Sequence, residues 1–240
     1  MKTGSKTNPK TGKAKKAEES VSSKSVPFSP PSFERVQEII QLLKEAHPDA
    51  KIALEFEDPL ELITATILSA QCTDERVNKV TPVLFERFDT AEKLAEANID
   101  ELKEIIRSTG FFNQKAKYIK EMTQGLMLRF GGKVPDNMED LLTLSGVARK
   151  TANVVLAGAF GKSEGIVVDT HVKRVSGRLG FTASKNPDII ERHLMEIIPK
   201  EEWIFFGNAL VFHGRRFCQA RKPQCQACPL NEKCPSAFTF

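Results

Sequence analysis

Four of the five cysteines in this 240-residue chain fall in its last quarter, in the run CQARKPQCQACPLNEKC. Cys218, Cys225, Cys228 and Cys234 follow the spacing C-x6-C-x2-C-x5-C, so four thiolates within seventeen residues can wrap a single metal centre. All-thiolate tetrahedral sites commonly hold zinc, although usually on two separated C-x2-C knuckles, which this run lacks. A second stretch, LSGVARKTANVVLAGAF from Leu144 to Phe160, joins a glycine-containing turn to a run of good helix formers. Two cations, Arg149 and Lys150, stand at the junction, where the partial positive charge of a helix N-terminus disfavours them. A third candidate is Asp169, which follows the apolar IVV and precedes THVKRVSGRL. Aspartate is a favoured N-cap, so this carboxylate has a structural role open to it beside any chemical one.

The segment Leu144-Ser145-Gly146-Val147-Ala148 reads either as a plain helix connection or as a helix–hairpin–helix. The second reading has a physical basis. Gly146 permits a positive φ and close approach of another backbone. Val147 can pin the turn between two helices, while the free N–H groups of the second helix, with its dipole, form a phosphate site. No acidic residue occurs from Leu141 to Ser163 to repel an anion.

The elements that must position these residues are helical. Val36, Ile39, Ile40 and Leu43 form one apolar face, and Leu60, Ile63, Ile67 and Ala70 form another after Pro59, a favoured first helical residue. Thr73 or Asp74 is expected to cap a helix through Val77, Val80 and Leu84, with Pro82 near its start. Thr90, Asp100 and Asn113 each precede a helix-length segment, and FGGKVP closes the last of these. MEDLLTL predicts a short helix, and further helices follow Asp169 and Pro187 and run near Trp203. Only GIVV has strand character, and it is too short to found a sheet. The body is read as all-α.

Composition is that of a globular protein, 40% hydrophobic and 28% charged, with no apolar run long enough to span a bilayer. There is no secretory h-region, so a cytoplasmic protein is expected. The net charge of +4 is uneven: residues 1–31 hold seven lysines against Glu18 and Glu19, leaving the remainder at −1. This tail has almost nothing to bury and is expected to be disordered, either as a solvating segment or as a non-specific DNA-tethering arm. An odd cysteine count, in the reducing compartment expected, argues against a disulfide framework. Cys72, apart from the cluster, is read as a small buried hydrophobe.

The hairpin stretch resembles the helix–hairpin–helix of the endonuclease III family of DNA glycosylases. VDTHVKRV (Val168 to Val175) and LSAQCTD (Leu68 to Asp74) resemble that family's other signatures, and the similarity runs from about Phe33 to Cys234. The resemblance implies a two-lobed fold: a six-helix bundle with the hairpin over 52–162, and a discontinuous iron–sulfur domain over 32–51 and 163–240. It implies a [4Fe–4S] cluster on Cys218, Cys225, Cys228 and Cys234, a centre usually held by four thiolates.

It also places the family's catalytic lysine at Lys150 and its carboxylate at Asp169. This accounts for the lysine at the junction: a site that is poor for an ammonium, with Arg149 beside it and a duplex above it, is good for an amine nucleophile. The implied activity is removal of oxidised pyrimidines, such as thymine glycol, from damaged duplex DNA, with cleavage on the 3′ side of the abasic site by β-elimination. Duplex contacts are expected from Gly146, Val147, Ala148, Arg149 and Thr151 of the hairpin, from His171 and Lys173, and from Arg221 and Lys222 in the cysteine loop. Gln71 and Phe111 are the expected residues that fill the space left by the extruded nucleotide. A monomer is expected, nucleoid-associated if bacterial, with no membrane partner.

Two departures from the family pattern stand out. Ala148 and Ser145 replace the usual glycine and proline, and a positive φ at Ala148 would cost on the order of 1 kcal/mol. Phe111 replaces an aliphatic residue, and Gly161 to Val168 is about one residue longer than in many relatives. Two rival readings remain: a monofunctional mismatch or alkylation glycosylase, against which Lys150 argues, and a non-catalytic DNA-binding module with a structural zinc.

Overall fold

A computed structural model describes residues 29–240 together with Met1. The reading of the basic tail over 1–31 falls outside these apart from Met1 and residues 29–31. Among the described residues there are eleven α-helices and no strand, and GIVV is an extended connection rather than a strand.

The first helix, α1 (Phe33–Ala46), buries Val36, Ile39, Ile40 and Leu43 as its periodicity requires. Helix α2 (Pro59–Leu68) starts at Pro59, with Asp58 as its side-chain cap. It is buried almost all round rather than on one face, because α3, α6 and α8 all pack on it, while Ala70 lies beyond its end and is exposed. A helix apolar on every side belongs in a core. Thr73 caps α3 (Asp74–Arg87), and Pro82 lies deep inside that helix instead of near its start.

Two caps differ from expectation. Asn98, not Asp100, caps α5 (Ile99–Ile106), its Oδ1 accepting the N–H groups of Asp100 and Glu101. Asp100 thereby sits in the first turn, where the helix dipole favours an acid. After α4 (Ala91–Glu96) and α5, a 3-10 turn (Arg107–Thr109) leads to α6 (Phe112–Phe130), whose cap position is Phe111 rather than Asn113. Gly131, at φ 59°, ends α6 in the left-handed conformation that glycine adopts without strain. The chain continues through α7 (Met138–Leu142), α8 (Arg149–Phe160), α9 (Thr170–Arg178), α10 (Pro187–Ile197) and α11 (Trp203–Arg216).

The buried apolar side chains form two clusters. One joins residues of α2 to α8, from Leu54 to Leu156. The other joins α1 to α9, α10 and α11, and includes Ile166 and Leu230. Phe181 and Phe206 stack at its centre, with ring centroids 5.9 Å apart. Segment 161–169 passes from the first cluster to the second, which places the N-termini of α8 and α9 beside the boundary between them. No helix among the described residues is long and apolar enough to cross a membrane.

Candidate active site

The hairpin forms between α7 and α8. Gly146 has φ 75°, and the N–H of Val147 donates to the carbonyl of Leu144, closing the turn over a buried Val147. A Cβ at Gly146 would stand 2.8 Å from the Cβ and 2.9 Å from the Cγ of Tyr118. Both the backbone and the neighbouring α6 therefore require glycine. The backbone cost alone of Gly146→Ala should be about 1–2 kcal/mol, read as a lowered Tm in thermal denaturation, and an unchanged Tm would contradict this geometry. Ala148 has φ −92°, so the strain considered for it is absent.

Ala148 is the cap residue of α8, and it has no side-chain oxygen to offer. Eight of the eleven α-helices have a side-chain cap at the N-terminus, and α8 does not. The N–H groups of Arg149, Lys150 and Thr151 are thus left for an outside acceptor, the arrangement that receives phosphate oxygens. The alanine in the family's glycine position keeps that opening clear.

The acid-free stretch is not free of acids in space. Ser145 donates to Glu121 at 2.7 Å, and Arg149 reaches the Glu164 carbonyl at 3.2 Å and Glu191 at 3.5 Å. Asn153 also donates to Glu191 at 3.2 Å. These carboxylates come from α6 and α10, so no local window of sequence could have revealed them. Arg149 is drawn toward Glu191, whereas Lys150 is exposed and has no hydrogen-bond or ion-pair partner among the described residues.

Lys150 and Asp169 line one open cleft between the two clusters. The longer segment before Asp169 does not separate the pair. Asp169 caps α9: its Oδ1 accepts from the N–H groups of His171 and Val172, both at 2.8 Å. Its Oδ2 has no partner among the described residues, so one oxygen anchors the helix and the other is left for chemistry. The cleft is also lined by Thr66, Ser69, Asn208 and the Asp74–Arg215 ion pair, which joins α3 to α11. Sequence reasoning did not bring these to the cleft, since they converge from three separate elements, α2 with its C-terminal end, α3 and α11.

His171 and Lys173 do not stand equally free. His171 is partly buried, and its ring accepts from Arg174 at 3.0 Å. Burial holds it below the usual histidine range, with Arg174 and Arg215 adding to the effect and Asp169 and Asp74 opposing it. Gln71 and Phe111 are both exposed, and both have left-handed backbones, at φ 52° and 49°. A non-glycine residue held there costs about 1–2 kcal/mol, and such strain tends to gather at functional sites. Cys72 is half-buried against the first cluster, less enclosed than expected.

The four clustered cysteines line one largely apolar pocket with Val175, Leu179, Phe217 and Leu230. Burial, and then the proximity of the other three sulfurs, pushes the Cys228 thiol up to about 11. Four mutually repelling thiolates need a cation among them to ionise together. Among the described residues no three His, Cys, Asp or Glu side chains are arranged to hold a single metal ion. Four cysteine sulfurs around one pocket are the donor set of a thiolate-held metal centre. Arg178 staples the loop by donating to Cys218 Sγ at 3.2 Å and to the carbonyls of Gln219 and Ala220. Arg174 and Arg35 make similar bonds to the Cys218 and Lys233 carbonyls. These arginines were missed, although Arg174 and Arg178 share one face of α9 at i, i+4. Arg221 and Lys222 are exposed on the same loop.

Residues 64–200 match the family described as HhH-GPD superfamily base excision DNA repair protein. Endonuclease III of Synechocystis sp. is 53% identical over 204 residues, covering 85% of this chain and 93% of that protein. Two solved structures, a non-covalent endonuclease III–DNA complex and a trapped endonuclease III–DNA covalent intermediate, each superpose with a TM-score of 0.82 at 41% identity. Each covers 87% of this chain and 98% of the other.

Proposed function

The chain belongs to the endonuclease III family of HhH-GPD DNA glycosylases, bifunctional enzymes that remove oxidised pyrimidines and cleave the abasic strand, and from that premise we propose that Lys150 is its nucleophile and Asp169 the carboxylate that serves it. The observation that carries this assignment is the shared cleft: an unpaired amine on an uncapped helix N-terminus beside a carboxylate with one uncommitted oxygen.

The reaction follows from those positions. The duplex phosphates dock on the free N–H groups of α8, which brings the deoxyribose of an extruded nucleotide to Lys150. The neutral amine bonds to the anomeric carbon as the glycosidic bond breaks, and the base leaves with a proton. Asp169, through Oδ2, stabilises the positive charge that develops on the sugar and moves the proton released by the amine. Ring opening gives a protonated Schiff base. Loss of a C2′ proton then expels the 3′ phosphate by β-elimination, and water releases Lys150.

Damaged double-stranded DNA is the partner, and the trapped DNA complex of the solved relative supports that reading. Gln71 and Phe111 enter the vacated stack, while Arg149, Thr151, Lys173, Arg221 and Lys222 meet phosphates. The division at the two apolar clusters supports the lobes read from the sequence, 52–162 against 32–51 with 163–240.

Cys218, Cys225, Cys228 and Cys234 would hold a [4Fe–4S] cluster, whose role when bound would be structural, a rigid anchor for the cation-bearing loop. Replacing Cys228 by serine should yield a protein without the broad visible absorption of the wild type, with iron below four atoms per chain and a lowered Tm. A colourless wild type holding stoichiometric zinc would contradict the cluster. The activity itself is tested with duplexes carrying thymine glycol, 8-oxoguanine or 3-methyladenine. Incision confined to the oxidised pyrimidine is expected, and preference for either purine would overturn the substrate assignment.

A further inference from the structure

Lys115 lies in the first turn of α6, is only 3% exposed, and has no part in the chemistry above. Its ammonium donates to the carbonyl of Leu68 at 2.7 Å and to that of Thr109 at 2.8 Å. Both acceptors occupy special places. Leu68 is the last residue of α2 and Thr109 the last of the 3-10 turn, so each carbonyl stands at a helical C-terminus that lacks an intrahelical donor. The negative ends of two helical segments thus meet one cation, which is where a cation is favoured. Burial lowers the pKa of Lys115, and Cys72 opposes this.

The two segments that end at Lys115 lead directly into the two exposed, strained residues. Gln71 follows Leu68 by three positions, and Phe111 follows Thr109 by two. An exposed side chain on a left-handed backbone keeps its direction only if the chain just before it is fixed. α2 and the 3-10 turn are otherwise parts of separate segments, 47 and 6 residues from Lys115 in sequence. We propose that Lys115 is a positioning residue: its ammonium ties the turn before Gln71 to the turn before Phe111 and so fixes the two side chains as one rigid fork that enters the DNA stack.

The proposal rests on the reading of Gln71 and Phe111 as the residues that fill the vacated stack. A fork of this kind matters only when a base must be taken out of a duplex. The two prongs share the work of unstacking, and a loose prong loses that work without disturbing Lys150. Lysine suits the place because its flexible stem reaches from α6 to both carbonyls and its head carries three donors. Methionine has a similar reach and no donor, so it would leave both carbonyls buried and unpaired.

The test compares full-length wild type with Lys115→Met, Lys115→Arg, Gln71→Ala and Phe111→Ala. Two substrates are used: a thymine glycol duplex with 2-aminopurine beside the lesion, and a single-stranded oligonucleotide with a preformed abasic site. For Lys115→Met the single-turnover excision rate on the duplex should fall by about 10- to 100-fold, as expected of a remote misplacement, while single-strand cleavage stays within about threefold of wild type. The 2-aminopurine signal of base unstacking should fall with the duplex rate, and Lys115→Arg should recover most of both. Equal losses on the two substrates, or an unchanged duplex rate, would overturn the clamp. If Gln71→Ala and Phe111→Ala leave the unstacking signal intact, the fork reading itself fails. If they abolish it and Lys115→Met does not, only the clamp fails. Should Lys115→Met not fold, Lys115→Gln, whose side chain is one bond too short to reach both carbonyls at once, is read against the same outcomes.

Discussion

Lys150→Ala is expected to give no borohydride-trapped complex with an abasic duplex and to lower base excision by at least about 10³-fold, the scale of losing a covalent nucleophile. The same substitution should leave the duplex Kd within about tenfold of wild type, because docking depends on the backbone N–H groups of α8 and these survive the change. Lys150 also makes no ion pair or hydrogen bond among the described residues, so removing it breaks no structural contact. Alanine is the best helix former and sits on an exposed helical position, which keeps α8 intact. The expected result is therefore a folded protein that binds and does not react. Loss of binding in proportion to activity would make Lys150 a phosphate contact instead.

Asp169→Asn should separate the two roles of that side chain. Asparagine is as good an N-cap as aspartate, so its side-chain oxygen keeps the bonds to the N–H groups of His171 and Val172 that Oδ1 now makes. Stability should change little, while excision falls by about 10²- to 10⁴-fold with the lost carboxylate charge and proton acceptor. Asp169→Ala removes the cap as well and should cost about 1 kcal/mol more in stability. The check is a pair of melting curves beside a pair of single-turnover rates. Equal destabilisation by Asn and Ala would show that the cap geometry does not hold, and full activity of Asp169→Asn would remove the carboxylate from the mechanism.

How much of this was legible in the chain follows from where each signal sits. The cysteine spacing, the hairpin and the cap at Asp169 are local patterns, each carried within seventeen residues or fewer, whereas the pairing of Lys150 with Asp169, which the structure brings to one cleft, came only from the family resemblance. The α5 cap was misread because Asn98 and Asp100 are both good capping residues two positions apart, and only the direction of the backbone chooses between them. The start of α6 was misread because Phe111 has no capping chemistry; Gly110, at φ 71°, precedes it and turns the chain there. Lys115 was invisible for a different reason. In NQKAKYIK it has the same composition as its neighbour Lys117, which is exposed and pairs weakly with Glu121 at 3.7 Å. What distinguishes the two lysines is which side of α6 faces α2, and that depends on contacts distant in sequence. The carboxylates of Glu121 and Glu191 beside the hairpin were missed on the same ground.

Those misses share a physical cause. Helix content and caps are set by neighbours along the chain, whereas the charge around a site is set by whichever helices pack against it. The acid-free run from Leu141 to Ser163 was a true statement about sequence and an incomplete one about space.

The central claim is that the amine of Lys150 forms the covalent bond to deoxyribose. It is tested most directly by incubating wild-type protein with an abasic duplex and borohydride, digesting the trapped species, and locating the sugar adduct by mass spectrometry. The adduct should lie on Lys150, and on no other lysine. A protein that traps no DNA, or one that carries the adduct on a different residue, would contradict the account.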